Sequence, residues 1–256
     1  MRGAWAIFKK EIRLYFASPV AYAVFTIFAV ICGWVFSSVF FFFSQFSMQA
    51  AMNPMMARDL NVTDGVFRPL FQNVSVIMLF MMPLITMRIF AEEKKSGTIE
   101  LLLTYPVRDG EVLLGKYAAA LALFLVMLGL TLLYPGMVTY FARMEPGPIL
   151  TAYLGLFLLG AAFLALGILT SSFTENQIVA AAVGFGAAII FWLLTWFSDF
   201  AGPVLSRILG HLSLIDHFEN FAKGVVDTRD VIYYVNFSLL CLFLTLRSLE
   251  SKRWRG

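Results

Sequence analysis

The strongest constraint on this chain is a set of six long stretches that contain no charged residue. They lie at about 19–46, 69–87, 117–141, 149–173, 177–197 and 231–246. A helix needs about 20 mainly apolar residues, within a range of roughly 17–25, to cross the hydrocarbon core of a bilayer. With their flanking residues all six stretches are long enough, so the sequence predicts six transmembrane helices. The composition agrees, because 14% of the residues are charged against about 25% in soluble domains.

We therefore expect an all-α membrane protein in which residues 1–256 form a single transmembrane domain. The predicted spans, with their flanks, are about 19–46, 69–90, 112–141, 149–173, 177–198 and 231–249. The first span is longer than the roughly 7–15 apolar residues of a signal peptide, which predicts that it is not cleaved. Residues 198–230 carry apolar side chains at roughly helical spacing. They predict short outer-leaflet helices between spans 5 and 6.

The lysines and arginines predict the orientation of the chain. They concentrate in residues 2–13, 88–116 and 247–255, which six spans would bring to the same side of the membrane. Cytoplasmic loops carry an excess of Lys and Arg, so we expect both termini in the cytoplasm. The net charge is only +3, and the basic residues border the membrane. This pattern indicates topology and no nucleic-acid partner.

Residues 4–17 predict an N-terminal amphipathic helix that precedes the first span. Trp5, Phe8, Ile12 and Phe16 recur at helical spacing, while Lys9, Lys10 and Arg13 gather on another face. Such a helix lies in the membrane interface, with its apolar face at the acyl boundary and its cations near anionic headgroups. We interpret it both as a topology anchor and as an elbow that turns the chain into the first span.

The inner segment between spans 2 and 3 predicts a short cytoplasmic helix. Thr98 is a candidate N-cap, and Glu100 would follow in the first turn, where a carboxylate favours the helix dipole. The apolar residues 101–103 come next, Pro106 ends the helix, and Asp109 is a candidate cap for the third span. An apolar helix at this face should dock into a lipid boundary or into a groove of a partner protein. The residues themselves leave both alternatives open.

Three pieces of the chain resemble one known family. The segment EEKKSGTIELLLTYPV at 92–107 resembles the coupling segment of ABC-2 type permeases, more narrowly those of the gliding-motility and nitrous-oxide-maturation branch. FKKEIRLYFASPVAY near the N-terminus and HFENFAKGVVDTRDVIYYVNFSLLCLFLTLRSLESKRW at the C-terminus agree with it. The resemblance covers essentially the whole chain and fits six spans.

The resemblance implies a non-catalytic permease subunit in a bacterial inner (cytoplasmic) membrane. Its partners would be two ABC ATPase subunits, a second permease protomer that is identical or different, and an additional membrane-anchored, outer-facing subunit. ATP and magnesium would bind the ATPase, so no cofactor is expected in this chain. The resemblance assigns coupling to the ATPase to Glu92, Glu93, Lys94, Gly97, Thr98, Glu100, Leu101 and Leu102.

Two other patterns mimic functional sites. GEVLLGKY at 110–117 matches a Walker A motif up to its last position. There Tyr117 replaces the Ser or Thr that holds magnesium, and the motif leads into an apolar helix without a preceding strand, so we predict no nucleotide site. His211, Asp216, His217 and Glu219 lack the spacing of a known metal motif and are interpreted as interfacial polar residues. Cys32 and Cys241 lie in apolar runs and are expected to be buried.

The apolar spans also narrow the function. Ion-coupled carriers place ionisable residues at membrane depth, whereas the six stretches contain none, which predicts an external energy source. HExxH and GxSxG motifs are absent, and Ser171 and Ser172 have no nearby base in sequence, so we expect no enzymatic activity. Two interpretations remain: a transmembrane subunit that couples ATP hydrolysis to export or conformational work, and a membrane scaffold that anchors a larger machine.

Overall fold

The computed structural model describes residues 2–51, 61–98, 108–140, 144–200 and 202–253, and these ranges are helical with short turns and no strand. The helices are α1 (Arg2–Ala17), α2 (Pro19–Ala51), α3 (Arg68–Thr86), α4 (Arg88–Lys95), α5 (Asp109–Leu130), α6 (Leu133–Val138), α7 (Pro146–Phe173), α8 (Gln177–Phe200), α9 (Pro203–Leu212), α10 (Leu214–Ala222) and α11 (Thr228–Arg253). A π-helical turn, Thr63–Phe67, leads into α3.

Within the described residues, six helical segments are long and apolar enough to cross a membrane, which confirms the expected all-α membrane fold. They are Pro19–Ala50, Thr63–Lys95, Asp109–Val138, Pro146–Phe173, Gln177–Phe197 and Thr228–Ser251. The second segment is longer than the predicted 69–90, because the π-helical turn extends it at one end and α4 extends it at the other. The placement of α1, α9 and α10 at a membrane interface stays a prediction.

The third span is broken at its far end by a proline. α5 ends at Leu130, Thr131 and Leu132 form a turn, and α6 begins at Leu133. Pro135 has no N–H to donate to the Thr131 carbonyl, and its ring crowds that carbonyl, so the regular helix cannot continue through this point. The start of α5 also differs from the prediction. Asp109 is its first residue rather than its cap, and Arg108 holds the N-cap position in an extended conformation.

The centre of the bundle is α7, which packs against α3, α4, α5, α8, α10 and α11. Small residues let these helices approach closely, as is usual in membrane bundles. At Gly155 a methyl group would stand 2.5 Å from Phe221 Cβ on α10. Cys32 and Cys241 are buried, as expected, and both are free thiols.

The N-terminal helix α1 packs along α5. Its buried residues are Ile7, Glu11 and Tyr15, which are spaced by one helical turn each. Trp5 and Phe16, from the predicted apolar face, stay 58% and 38% exposed. α1 therefore has two faces with apolar residues, one that docks on the bundle and one that remains on the surface.

Close packing of α1 depends on Gly115, and we predict that Gly115→Ala destabilises the protein. The added methyl group would lie 2.7 Å from the Ala4 carbonyl oxygen and 3.0 Å from Ile7 Cβ, and backbone atoms cannot move away cheaply. We expect a loss of about 1–3 kcal/mol in the free energy of unfolding, measured by denaturation in detergent. Gly110→Ala is the matched control on the same helix, because no atom lies within 4 Å of its new methyl. Equal stability of the two variants would contradict the prediction.

Candidate functional site

A buried lysine ties α1, α4 and α5 together at one end of the bundle. Lys116 Nζ on α5 donates hydrogen bonds to Glu11 Oε1 of α1 at 2.9 Å and to Glu93 Oε1 of α4 at 2.8 Å. Its third hydrogen bond goes to the Ile89 carbonyl at 3.0 Å. An ammonium group has three donors, and each has an acceptor here. We call Glu11, Glu93 and Lys116 the ion triad.

The three side chains of the ion triad are largely buried. The side chain of Lys116 is 1% exposed, and those of Glu11 and Glu93 are 10% and 14% exposed. Lys10 Nζ lies 3.2 Å from Glu93 Oε1, so that two positive and two negative charges meet. Removing buried ions from water is costly, and such a group is stable only when its charges and hydrogen bonds are well matched. These residues therefore hold α1 and α4 in one arrangement around Lys116.

A second polar contact joins α4 to the junction between α1 and α2. The Arg88 guanidinium donates to Ser18 Oγ at 3.0 Å and lies 3.4 Å from Glu92 Oε2 one turn along α4. Arg88 also lies 6.0 Å from the ring centre of Tyr15. Burial, with a smaller contribution from the Glu11 carboxylate, raises the pKa of the Tyr15 hydroxyl well above its usual value. Lys10 in the second half of α1 and Ser18 just after it thus both contact α4, which carries the first of the predicted coupling residues.

On its opposite side α4 is capped by α7. Ser171 Oγ accepts hydrogen bonds from the Phe90 and Ala91 N–H groups at 3.1 and 3.2 Å and donates to the Met87 carbonyl at 3.0 Å. The first N–H groups of a helix have no partner within it, so a side chain from another helix here serves as the cap. Ser171, which showed no catalytic base in sequence, has this structural role.

Two neighbouring residues near the end of α4 contact different helices. Glu93 joins the ion triad, while Lys94 is buried and donates to the Ser172 carbonyl at the end of α7. These two contacts fix the end of α4 against α5 and α7, just before the predicted coupling helix.

Gly97 follows the C-terminus of α4 in a left-handed conformation, with φ of +69°. Its N–H donates to the Lys94 carbonyl at 3.2 Å, an arrangement that favours glycine after a helix C-terminus. Thr98 Oγ1 lies 2.8 Å from Ser96 Oγ and 3.4 Å from the Glu93 carbonyl. The structure therefore brings Glu92, Glu93, Lys94, Gly97 and Thr98 to one end of α4.

The remaining predicted residues divide into two groups. Glu100, Leu101 and Leu102, and with them the predicted coupling helix, lie outside the described residues. On α1, Trp5 and Phe8 stack at 5.1 Å between ring centres, with Lys9 Nζ 5.3 Å from the Trp5 ring. Lys10 contacts Glu93, and Arg13 is exposed.

A polar cavity of about 240 Å³ opens beside the ion triad. Its wall includes Lys10, Glu92, Glu93, Ser96 and Thr98. Glu93 Oε2 is buried and accepts no hydrogen bond within the part of the chain that the structure describes. The cavity is thus lined in part by residues at the start of the predicted coupling segment.

Sequence reasoning missed Glu11 and Lys116. Glu11 was hidden in a basic segment, and Lys116 was grouped with the inner loop and with the imitation Walker motif. In the structure Gly115 and Lys116 lie within the regular helix α5, which cannot wrap a phosphate as a Walker loop does. One signal was available: a lysine that directly precedes the long apolar part of a helix needs an acidic partner when it is buried.

The polar residues at the other end of the bundle form pairs. His217 Nδ1 lies 2.6 Å from Asp230 Oδ1 on α11, and Asn220 donates to Asp230 Oδ2 at 2.8 Å. His211 contributes its carbonyl, 3.3 Å from His217 Nε2. The side chain of Glu219 pairs with Lys223, and the N–H of Asp216 donates to Ser213 Oγ at 3.2 Å. Across the described ranges no three His, Cys, Asp or Glu side chains are grouped to hold a metal ion.

Comparison with known proteins agrees with this architecture. The family described as "ABC-2 family transporter protein" matches residues 5–225, which include most of α1, the ion triad and α7. The chain belongs to the ABC-2 transporter family. It is thus a multi-pass transmembrane subunit of the transporter class.

A curated relative points to the same family. The chain is 34% identical over 152 residues to the "Probable ABC transporter permease protein NosY" of Pseudomonas aeruginosa. The match covers 55% of this chain and 54% of that protein, so the chain spans about half the length of this relative. The resemblance to the ABC-2 permeases that the sequence showed is confirmed.

We predict that Lys116→Met destabilises the ABC-2 permease chain, because two carboxylates would lose their buried counter-charge. The expected loss is about 3 kcal/mol, at the lower end of the range for breaking a buried ion pair, measured by denaturation in detergent. Replacing the whole group, in Lys116→Met/Glu11→Gln/Glu93→Gln, should recover part of that loss. Arg247→Met removes an exposed ion pair with Glu250 and should cost less than about 1 kcal/mol. Equal effects of the two single variants would show that the ion triad is not a structural centre.

Proposed function

We propose that this chain is the permease subunit of an ATP-driven ABC-2 transporter and that α4 carries motion from cytoplasmic ATPase subunits into the bundle. The observation that carries the proposal is the ion triad, which joins α1, α4 and α5 at the start of the coupling segment. Through Ser171 and Ser172 the same short helix holds the central helix α7. Force applied to residues 92–105 would therefore reach three transmembrane helices.

The proposal includes a defined set of partners and an orientation. Two ATPase subunits would bind ATP and magnesium, and two permease protomers, identical or different, would form the membrane part. An additional membrane-anchored, outer-facing subunit completes the proposed assembly. α4 and both termini would face the cytoplasm across a bacterial inner membrane, as the clusters of basic residues favour. ATP would be hydrolysed on the partner subunits, and this chain would have no catalytic role.

The polar cavity beside α4 supports docking of a protein partner at this face. Ser96 and Thr98 carry hydroxyl groups on its wall, and Glu93 Oε2 is buried behind the wall without a hydrogen-bond partner among the described residues. A basic side chain from an ATPase subunit would satisfy the buried carboxylate oxygen, because charge-assisted hydrogen bonds are the strong ones. If the coupling helix met only a lipid boundary, the Glu93 carboxylate oxygen would gain no such charged partner.

The first test is recovery of the ATPase with the permease. The chain, tagged at its C-terminus and expressed with its neighbouring genes, is purified in detergent, and bound proteins are identified by mass. We expect a Walker-motif ATPase that is lost when residues 98–103 are replaced by a polar linker. Recovery of no ATPase from intact membranes would instead favour the membrane scaffold.

The second test separates coupling from binding. We predict that Glu100→Gln/Leu101→Ser leaves the ATPase bound but reduces the stimulation of ATP hydrolysis by the permease about fivefold or more, within the usual range of coupling between sites. The measurement is ATP hydrolysis in proteoliposomes that contain both proteins. Leu205→Ser is the control, because Leu205 is exposed on α9, far along the chain from α4. Undiminished stimulation in the double variant would contradict the coupling role.

A further inference from the structure

A second cavity lies at the end of the bundle where α3 begins and α8 ends. It measures about 250 Å³ and is lined by three elements, α3, α8 and α10. Gln72 and Ser75 contribute from α3, Trp192 and Trp196 from α8, and Glu219 from α10. The ion triad lies at the opposite end of α3, beyond α4, so this cavity is separate from the coupling site.

The aromatic wall of the cavity suits a cation. The Trp192 and Trp196 rings lie 5.3 Å apart between centres and are tilted by 47° to each other. Indole faces are the strongest aromatic partners of ammonium groups. Tryptophan also concentrates where a membrane protein meets the headgroup layer.

Polar groups of the cavity remain available to a ligand. Among the described residues, the side-chain amide of Gln72 has no hydrogen-bond partner. The same holds for the indole N–H groups of Trp192 and Trp196. Ser75 and Thr195 are already engaged, with the Gln72 carbonyl and with Ser213 Oγ respectively. Gln72 is thus the uncharged polar side chain of the wall that can still bind a headgroup.

Glu219 on the cavity wall forms an ion pair with Lys223, which lies just outside the lining residues. Glu219 Oε2 lies 2.8 Å from Lys223 Nζ one turn along α10, and the two side chains are 48% and 43% exposed. An exposed pair of this kind contributes little by itself. A ligand that carries both an ammonium and a phosphate could replace it with two ion pairs, to Glu219 and to Lys223.

Below the cavity an apolar track continues along the bundle. Val76, Phe80 and Leu84 follow Gln72 at intervals of four residues, so they share one side of α3. Phe80 is 51% exposed and contacts Phe185 of α8, with ring centres 4.6 Å apart. The polar end of a bound amphiphile would thus lie in the cavity, and its acyl chain would lie along the apolar side of α3.

From this arrangement we infer that the cavity between α3, α8 and α10 is a binding site for a zwitterionic phospholipid with an ammonium headgroup. The ammonium lies against Trp192 and Trp196 and pairs with Glu219, and the phosphate pairs with Lys223. One acyl chain follows Val76 and Phe80 along α3. The site belongs to the permease chain alone and does not depend on the ATPase.

The test is native mass spectrometry of the purified permease chain after exchange into nanodiscs of equal parts phosphatidylethanolamine and phosphatidylglycerol. We expect preferential retention of phosphatidylethanolamine. N-acetylated phosphatidylethanolamine keeps the phosphate and the chains but lacks the cation, and it should be retained no better than phosphatidylglycerol. Water-soluble glycerophosphoethanolamine, added in excess, should displace the lipid only weakly, because it has no acyl chain to occupy the track on α3.

Two variants locate the binding on the protein. Trp192→Leu/Glu219→Gln should lower the retention of phosphatidylethanolamine about tenfold, through loss of the aromatic and the ionic contact. Trp34→Leu/Glu250→Gln is the matched control, because Trp34 is an exposed tryptophan of α2 and Glu250 an exposed partner of Arg247. The thermal midpoints of both variants verify that the bundle is folded. Equal retention of the three lipids, or equal retention by both variants, would overturn the inference.

Discussion

The three hydrogen bonds of Lys116 hold together the end of the bundle on which the proposed function depends. They reach Glu11 on α1, Glu93 on α4 and a carbonyl of α4, and they leave the ammonium group almost fully buried. A buried cation is tolerated only if its acceptors keep their places. The requirement is mutual, since two carboxylates at this depth also need Lys116. The position of α1 is therefore linked to that of α4, even though 83 residues separate Lys10 from Glu93.

The packing of the bundle around α7 connects the ion triad to the other helices. α7 is surrounded by six other helices, and glycines on its surface replace side chains where neighbours approach closely. Interiors of this density do not deform continuously. Because α4 is fixed to the end of α7 through Ser171 and Lys94, the central helix and the ion triad meet in one short element. α2, α8 and α11 are more exposed and present apolar side chains to the surroundings.

The two ends of the bundle differ in chemistry. At the end that carries α4, charged side chains form a network beside a polar cavity. At the other end, short helices α9 and α10 lie over aromatic residues, and the polar groups form local pairs such as His217 with Asp230. In the proposed function, the end that carries α4 would contact the ATPase subunits.

The amino-acid sequence by itself determined the six helical spans, because long uncharged stretches are stable only inside a bilayer or a bundle. It also determined the family, through the segment around Gly97 and Thr98, and it indicated α1 from its helical periodicity. Tertiary structure decided which face of α1 docks, and it placed Ile7, Glu11 and Tyr15 there rather than Trp5 and Phe16. It also decided that Glu11, Glu93 and Lys116 meet. Helical periodicity relates residues three or four positions apart, so contacts between residues about 23 and 105 positions apart arise only when the helices pack.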